Sequence, residues 1–325
     1  MGHHITRRAC FAVPLRALTT PALAQDFPSR PVRIVVPFPA GGAADLAARW
    51  IAQKLATTWS QTVVVDNRPG GANGNLGAGQ VAHAAPDGHT LLLSSSGAFT
   101  TNALLYRDTP FDPLHDLAPT SIVMVAPNLL VARAEAPYHT LPELIAYARA
   151  NPGAVRYASQ GVGSTGHLTG AYLALVSGAD LVHVPYRGSV PAVADLLAGN
   201  IDIMWDTITS VLPHVREARL QGLATGGAER TPALPGLPTA AEQGLADFVS
   251  VGWFAVAAPG GTPLPIIERL SAAIRDAVQS PEIVRQMTEL GALPGGGTPE
   301  AMAGYMRSET ARWKRIIDQA NISVN

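Results

Sequence analysis

The stretch Val32–Trp50 reads VRIVVPFPAGGAADLAARW and carries much of the information about the fold. The apolar run Val32–Val36 predicts a buried strand, the turn Pro37–Gly42 follows it, and Ala43–Ala56 has the pattern of a helix. A glycine turn at this place leaves backbone N–H groups free at the helix start, where they can bind an anion. Taken alone, the glycines could equally serve only the tight turn.

Apolar runs and helical patterns alternate along the rest of the chain. The first part continues with strand Val63–Val65, helix Leu76–Ala84 and strand Thr90–Leu93. A second part repeats the order, with strand Val155–Ala158, helix Thr165–Val176, strand Leu181–Val184, helix Val190–Ala198 and strand Ile201–Trp205. This β-α-β-α-β order is typical of a parallel sheet covered by helices. With 325 residues, the sequence predicts an α/β protein of two lobes.

Apolar runs also connect and complete the two parts. Ile122–Val131 is predicted to cross into the second lobe, Leu223–Thr225 is a short strand, and Val249–Ala257 is a further apolar run. Three later helices are expected to be capped by hydroxyl residues that precede proline, namely Thr262, Ser280 and Thr298. The last helix, Pro299–Ala320, carries an apolar stripe that we expect to pack against the first lobe: Met302, Met306, Trp313 and Ile317.

The first 24 residues match the scheme of a secretory signal peptide. Three arginines are their only charged side chains, residues 9–24 are largely apolar or small, and the segment ends Pro21-Ala-Leu-Ala24. This A-x-A ending predicts export to the periplasm with cleavage before Gln25. A disordered tail is the structural alternative, and the adjacent Arg7 and Arg8 leave twin-arginine export open beside the general route.

Composition excludes several classes of function. Cys10, the only cysteine, lies in the predicted leader, so neither disulfides nor thiolate chemistry are expected in the mature chain. Without the leader, 20 basic residues face 24 acidic ones, and this mild negative charge argues against nucleic-acid binding. No window reaches the roughly 18 apolar residues of a membrane span, which predicts a soluble protein.

The segment Gly161-Val-Gly-Ser-Thr-Gly166 matches the G-x-G-x-x-G dinucleotide fingerprint. That fingerprint also requires an acid at the end of the next strand, but Asp180 precedes the strand Leu181–Val184. No P-loop and no G-x-S-x-G nucleophile motif occur. Ser164 is placed to cap a helix rather than to act as a nucleophile with His167, and the histidines lack metal-ligand spacing. We therefore predict no enzyme activity, no cofactor and no metal.

The two strand-to-helix glycine turns, Pro37–Gly42 and Ser159–Gly166, belong to different predicted lobes. Ligands of open α/β sheets bind beyond the carboxyl ends of the strands, so both helix starts are expected to face one cleft. Arg187 is the only basic side chain expected close to either turn. Neutral N–H donors suit a carboxylate better than a polyphosphate.

Many short motifs occur in the order found in one family of bacterial receptors. They are Pro28-Ser-Arg-Pro31, Pro37–Gly42, Asn67-Arg-Pro-Gly70, Pro86-Asp-Gly88, Ala158–Ser164, His183-Val-Pro-Tyr186, Asp195–Gly199, Pro238-Thr239 with Glu242, and Trp253-Phe254 before Ala258-Pro259. Over about residues 27–320 the chain resembles the Bug family, the TctC-like periplasmic solute receptors of tripartite tricarboxylate transporters.

The resemblance implies a two-lobed periplasmic-binding-protein fold of the second type, with two strands crossing the hinge and a ligand cleft between the lobes. Lobe one would comprise residues 25–125 and 247–325, and lobe two residues 126–246. A small carboxylate would be held largely by backbone amides and bridging waters. The matching positions are Phe38, Ala40, Gly42, Ser95, Ser96 and Asn102 in lobe one, and Ser159, Gly163, Ser164, Thr165, His167, Tyr186 and Asp206 in lobe two.

Two of these positions carry open alternatives. Tyr186, like Trp205, could be a wall or core residue. Asp206 would repel a carboxylate, so it is expected to receive an ammonium or hydroxyl group, or to order a loop.

The predicted function is that of a monomeric periplasmic receptor that closes on a carboxylate and delivers it to the membrane subunits of a tripartite transporter. The ligand could be a dicarboxylate or tricarboxylate, an aromatic acid or an acidic amino acid. A sensor that presents its ligand to a histidine kinase and a nicotinamide-dependent enzyme are the two alternatives.

Overall fold

The computed structural model describes residues 27–70 and 72–322, so the predicted leader and Cys10 lie outside the described residues. Within this part, ten strands form one sheet. The two-lobed α/β architecture expected from the alternating pattern is confirmed. No helix of the described residues is long and apolar enough to cross a membrane.

The first half of the sheet contains the opening stretch of sequence. Its elements are β1 (Val32–Val36), α1 (Ala43–Trp59), β2 (Val63–Asn67), α2 (Asn75–Ala82), β3 (Thr90–Ser95) and the short helices α3 (Ser96–Phe99) and α4 (Asn102–Leu105). Strand β1 pairs in parallel with both β2 and β3. Four of its five residues are buried and Arg33 is the exposed one, which agrees with an apolar run in a strand covered on both faces.

The long strand β4 (Leu117–Arg133) leads into the second half of the sheet. That half contains α5 (Leu141–Ala150), β5 (Val155–Ser159), α6 (Thr165–Ser177), β6 (Leu181–Pro185), α7 (Ser189–Leu197), β7 (Ile203–Thr207), α8 (Ile208–Arg216) and β8 (Leu220–Thr225). One correction affects the site. The strand predicted over Ile201–Trp205 begins and ends two residues later, which places Asp206 within β7 instead of after it.

The chain then returns through β9 (Val251–Pro259) and ends with α9 (Leu264–Val278), α10 (Pro281–Glu289), β10 (Leu293–Gly296) and α11 (Pro299–Gln319). The strand order of the sheet is β2-β1-β3-β9-β4-β7-β5-β6, with β8 and β10 paired to β4. Strand β4 pairs with β9 as far as Pro127 and with β7 from Asn128 onward. At this change of partner, the Asn128 N–H donates to the carbonyl of Ser250 at 3.0 Å. The Asn128 side-chain amide also donates to the Ser250 hydroxyl at 2.7 Å. The two halves are therefore joined by β4 and by the segment that precedes β9.

Two of the three predicted hydroxyl caps are wrong. Thr298 accepts a hydrogen bond from the Ala301 N–H, as expected of a cap. Ser280 stands at the N-cap position of α10, but its hydroxyl donates to the carbonyl of Ala277. The Thr262 hydroxyl donates to the carbonyl of Pro259, and Pro263 is the N-cap residue of α9. The hydroxyls of Thr262 and Ser280 thus donate to a preceding carbonyl instead of accepting a hydrogen bond from an N–H group of the helix that follows.

The apolar stripe of α11 packs on both halves of the protein, which corrects the expectation that it packs only on the first. Met302 and Met306 join the cluster around Trp253. Trp313 and Ile317 instead pack with Leu168 of α6. A helix of 21 residues is about 30 Å long, which is enough to extend past one lobe.

Candidate ligand cleft

A cavity of about 610 Å³, including space open to solvent, lies between the two halves of the sheet. The starts of α1, α6 and α7 form much of its wall, and β9 contributes Trp253 and Phe254. Hydrogen bonds also join the two halves. Ser96 bonds to Thr165 through their hydroxyls at 3.1 Å, and Tyr106 donates to the carbonyl of Val162 at 2.6 Å. The predicted cleft is thus present between the two glycine turns.

The start of α1 presents unpaired backbone donors to this cavity. Gly42 is the N-cap residue, and no side chain caps the helix. Within the described chain, the N–H groups of Gly42, Ala43 and Ala44 donate to no protein acceptor, and all three residues line the cavity. Backbone N–H groups at a helix start, together with the positive end of the helix dipole, favour a bound anion.

A buried carboxylate holds this turn in place. Asp45 accepts hydrogen bonds from the Gly41 N–H at 2.9 Å, from Arg49 at 3.0 Å and from the Asn67 side-chain amide at 3.0 Å. Burial opposes ionisation, but these hydrogen bonds prevail and lower the pKa of Asp45 below its ordinary value. The network fixes the loop so that the following N–H groups remain directed to the cavity.

Two further helix starts converge on the same cavity from the second half. In α6, Ser164 caps the N–H of His167, whereas the Thr165 N–H donates to no described acceptor. In α7, the N–H groups of Ser189 and Val190 are equally free among the described residues. In the part of the chain that the structure describes, no lysine, arginine or histidine lines this cavity. Positive potential in the cavity therefore comes from peptide groups of three helices.

Among the described residues, Asp206 is the one carboxyl group in the cavity wall. Its Oδ1 accepts hydrogen bonds from Gln160 Nε2 at 2.7 Å, from the Thr207 N–H at 2.7 Å and from the Ser189 hydroxyl at 3.1 Å. Its buried Oδ2 has no partner among the described residues. Burial raises the pKa of Asp206 from 3.8 to about 6, although the hydrogen bonds to Oδ1 oppose this shift.

For the carboxylate ligand predicted from the sequence, we expect binding to weaken as the pH rises through about 6, because Asp206 then becomes a second anion in the cavity. Two charges in such a partly desolvated site repel enough to reduce affinity about 10-fold. Asp206→Asn should remove this pH dependence and keep the tighter affinity at pH 8. Titration calorimetry between pH 5.5 and pH 8, with a ligand that is ionised throughout, measures the effect.

The stability of the ligand-free protein supplies an independent readout for the same variant. Between about pH 4 and pH 6 folded Asp206 keeps a proton that the unfolded chain has released, so stability falls as the pH rises through this window. Asp206→Asn should lose this part of the pH dependence. An unchanged pH profile of both affinity and stability in the variant would contradict the role given to Asp206.

The structure divides the thirteen predicted site residues into three groups. Six line the cavity: Phe38, Gly42, Ser95, Ser164, Thr165 and Asp206. Six do not line it: Ala40, Ser96, Asn102, Ser159, Gly163 and His167. Tyr186 lines an adjoining outer cavity, where its hydroxyl donates to Asp195 at 2.6 Å. The structure also settles the alternative for Trp205, which is fully buried in the core of the second half.

Several residues outside the cavity wall support it from behind. Asn102 is fully buried and accepts a hydrogen bond from the Asn73 side chain at 2.7 Å. The Ser159 hydroxyl pairs with His183 at 2.7 Å, and the rings of His183 and His167 stack. Burial lowers the pKa of His167 to about 4, so it is neutral at pH 7 and its Nδ1 accepts the Gly163 N–H at 3.0 Å.

Sequence reasoning missed part of the cavity wall. Gln160 donates to Asp206 and to the carbonyl of Trp205, and it accepts the N–H of Gly166 at 3.2 Å. Because Gln160 lies inside the second glycine turn, its position in the sequence could have indicated that it lines the cavity. Ser189 follows Gly188 at the start of a helix, so a search for a third glycine turn could have found it. Asn128 lies inside a long strand, and nothing in its sequence context indicates a cavity.

The outer cavity, of about 1030 Å³ including open solvent, adjoins the inner one and shares Phe38, Pro39, Asn73 and Gln160 with it. Tyr106 and residues 185–187 form part of its wall. Burial raises the pKa of Tyr106 to about 12, so its hydroxyl stays protonated as the donor to Val162. Like the inner cavity, the outer one is lined by residues of both halves.

Two α/β halves joined by a pair of chain crossings, with a cleft lined by helix starts, define a solute-binding protein of the periplasmic type. Residues 47–322 match the family described as "Tripartite tricarboxylate transporter family receptor". The chain belongs to this family of receptors, which confirms the resemblance noted from the motifs and the prediction that it is not an enzyme.

Relatives and solved structures agree with this assignment. The chain is 39% identical to "Protein BugT" of Bordetella pertussis, over 92% of each chain. It resembles the structure "R. palustris Rpa4515 with adipate" with a TM-score of 0.89 and 36% identity, covering 92% of this chain and 99% of that one. It also resembles "MatC (Rpa3494) from Rhodopseudomonas palustris with bound malate" with a TM-score of 0.85 and 34% identity, covering 90% and 100%.

Proposed function

We propose that this chain is a periplasmic receptor that binds a small carboxylate and delivers it to the membrane subunits of a tripartite tricarboxylate transporter. The observation that carries the proposal is the convergence of three uncapped or partly free helix starts on a cavity wall without a basic side chain. Such N–H groups match one carboxylate better than a polyphosphate. The adipate and malate named for two similar structures support the same ligand class.

In this proposal the ligand joins the two lobes and thereby stabilises the closed form. The start of α1 contributes N–H donors from lobe one, which comprises residues 25–125 and 247–325. The starts of α6 and α7 contribute N–H donors from lobe two, residues 126–246. The hinge lies where β4 changes partner, near Asn128 and Ser250. A ligand that contacts both lobes shifts the population toward closure by its difference in affinity for the two forms.

The proposed contacts separate into direct and indirect ones. Direct contacts are assigned to the predicted residues of the cavity wall, Phe38, Gly42, Ser95, Ser164, Thr165 and Asp206, with Gln160 and Ser189 added by the structure. Ser96, Asn102, Ser159, Gly163 and His167 act by holding the turns in place, and no contact is assigned to Ala40. Export by the N-terminal leader would bring the receptor to the periplasm. There it would act as a monomer.

A thermal-shift panel of dicarboxylates, tricarboxylates, aromatic acids and acidic amino acids tests this function on the chain beginning at Gln25. A carboxylate present at 100 times its dissociation constant should add about 2.7 kcal/mol to the free energy of unfolding, because it binds only the folded form. Sugars and inorganic cations serve as the control set. Stabilisation by a sugar or a cation but by no carboxylate would refute the proposal.

A further inference from the structure

A relay of side-chain hydrogen bonds connects the place where β4 changes partner with the start of α6. The Asn128 side-chain amide donates to the Ser250 hydroxyl at 2.7 Å, and the hydroxyls of Ser250 and Thr169 bond at 2.6 Å. The Thr169 hydroxyl donates to the carbonyl of Thr165 at 2.7 Å. Asn128, Ser250 and Thr169 are each only 1% exposed. Water therefore competes little for the bonds of this relay.

The direction of each bond in the relay follows from the number of hydrogens. A hydroxyl has one hydrogen, and that of Thr169 is used by the Thr165 carbonyl. The Ser250 hydroxyl must therefore donate to Thr169 and accept from Asn128. Each of the two hydroxyls donates one hydrogen bond and accepts one. The loss of either hydroxyl leaves a buried hydrogen-bonding group of the other without its partner.

One peptide group extends the relay to the cavity wall. The carbonyl of Thr165 and the N–H of Gly166 belong to the same peptide, and that N–H donates to Gln160 Oε1 at 3.2 Å. Gln160 Nε2 in turn donates to Asp206 Oδ1 at 2.7 Å. Thr165, Gln160 and Asp206 line the inner cavity. The relay thus ends on three residues of the wall.

We propose that Thr169 and Ser250 are positioning residues, which fix the start of α6 to the hinge through this relay. The inference rests on the proposed function, because it gives two residues behind the wall a role in carboxylate binding. The Thr165 N–H, which donates to no described acceptor, lies in the peptide next to the one that Thr169 holds. A helix start held in this way keeps its donors directed to the cavity before binding, which lowers the entropy lost when the carboxylate binds.

Thr169→Val tests this role, because valine has nearly the shape of threonine but no hydroxyl. Titration calorimetry with adipate and with malate should show an affinity about 10-fold lower than that of the unmutated protein. Thr169→Ser retains the hydroxyl and should keep the affinity within about 2-fold. Adding Ser250→Ala to Thr169→Val should cause little further loss, because the relay is already interrupted.

Thr120→Val is the matched control. Thr120 is fully buried, and its hydroxyl donates to the Val256 carbonyl at 2.7 Å, which is the length of the Thr169 bond. It lies in β4, outside the walls of both cavities. The control loses the same kind of buried hydrogen bond and should leave the affinity unchanged. An equal loss of affinity in Thr120→Val and Thr169→Val would overturn the proposal, because lowered stability would then explain both.

Hydrogen exchange of the ligand-free protein tests the relay without a carboxylate. Ser250→Ala should make the amides of residues 166–170 exchange about 10-fold faster, whereas Thr120→Val should leave them unchanged. Unchanged exchange there in Ser250→Ala, or unchanged affinity in Thr169→Val, would overturn the proposal. If neither adipate nor malate binds the unmutated protein, the exchange result alone decides whether the relay fixes α6. Failure of every carboxylate in the thermal-shift panel would instead refute the proposed function.

Discussion

A Gly42→Pro variant is expected to bind its carboxylate about 30- to 100-fold more weakly than the unmutated protein. Proline has no N–H group, so the substitution removes one donor at the start of α1 that no protein acceptor uses. Loss of a hydrogen bond to a charged group costs about 2–3 kcal/mol, which corresponds to this change in affinity. Calorimetric titration with the best carboxylate of the thermal-shift panel measures it.

The backbone at this position permits the experiment. Gly42 has φ −83° and ψ 173°, which are close to values that proline adopts, so the fold should tolerate the change. Gly42→Ala is the matched control, because it retains the N–H and its Cβ would meet only the Pro39 carbonyl oxygen at 3.9 Å. Affinity equal to that of the unmutated protein in a folded Gly42→Pro variant would show that the turn serves the backbone only.

The second large effect is expected for Gly166→Ala, which should lower the free energy of unfolding by about 3 kcal/mol. A Cβ at Gly166 would lie against the backbone carbonyl of Trp205 and the side-chain amide of Gln160, closer than real Cβ atoms approach other atoms. Helix α6 would have to move away from β7, and Gln160 would lose its hydrogen bond from the Gly166 N–H. Urea denaturation measures the loss of stability.

Gly236→Ala provides the control for this variant. Gly236 has open space around the position of a Cβ, so alanine there should leave stability unchanged or raise it slightly by restricting the unfolded chain. A Gly166→Ala protein as stable as the unmutated one would contradict the close packing of α6 on β7. It would also remove the structural explanation for the third glycine of the fingerprint.

That fingerprint illustrates how one local pattern can arise from different requirements. Gly161 and Gly163 have φ values of +141° and +74°, which side chains rarely adopt, and Gly166 allows α6 to approach β7. At nucleotide sites the first glycine also serves a tight turn and the third close helix–strand packing, but the second lets the backbone approach the pyrophosphate. The spacing alone therefore cannot identify the ligand, and the position of Asp180 before β6 was the informative difference.

Elements with strong local signals were predicted well. Strand β1 and helix α1 follow from the apolar run and the alanine-rich pattern, and the C-terminal helix follows from its stripe and from the cap at Thr298. Errors occurred where a second partner decides the outcome. The hydroxyls of Thr262 and Ser280 donate to carbonyls of the preceding turn instead of capping the next helix. Trp313 packs on Leu168, a residue distant in sequence.

The sequence by itself determined the alternation of strands and helices, the two glycine turns and the family resemblance, because each depends on residues that are neighbours along the chain. Tertiary structure alone decided which N–H groups line one cavity and which side chains outside its wall hold their turns in place. It also decided that the last helix packs on both halves of the protein. The free donors of α1, α6 and α7 and the carboxyl group of Asp206 come from segments brought together only by folding. Their combined field, and therefore the ligand that it selects, depends on distances in space that no local pattern encodes.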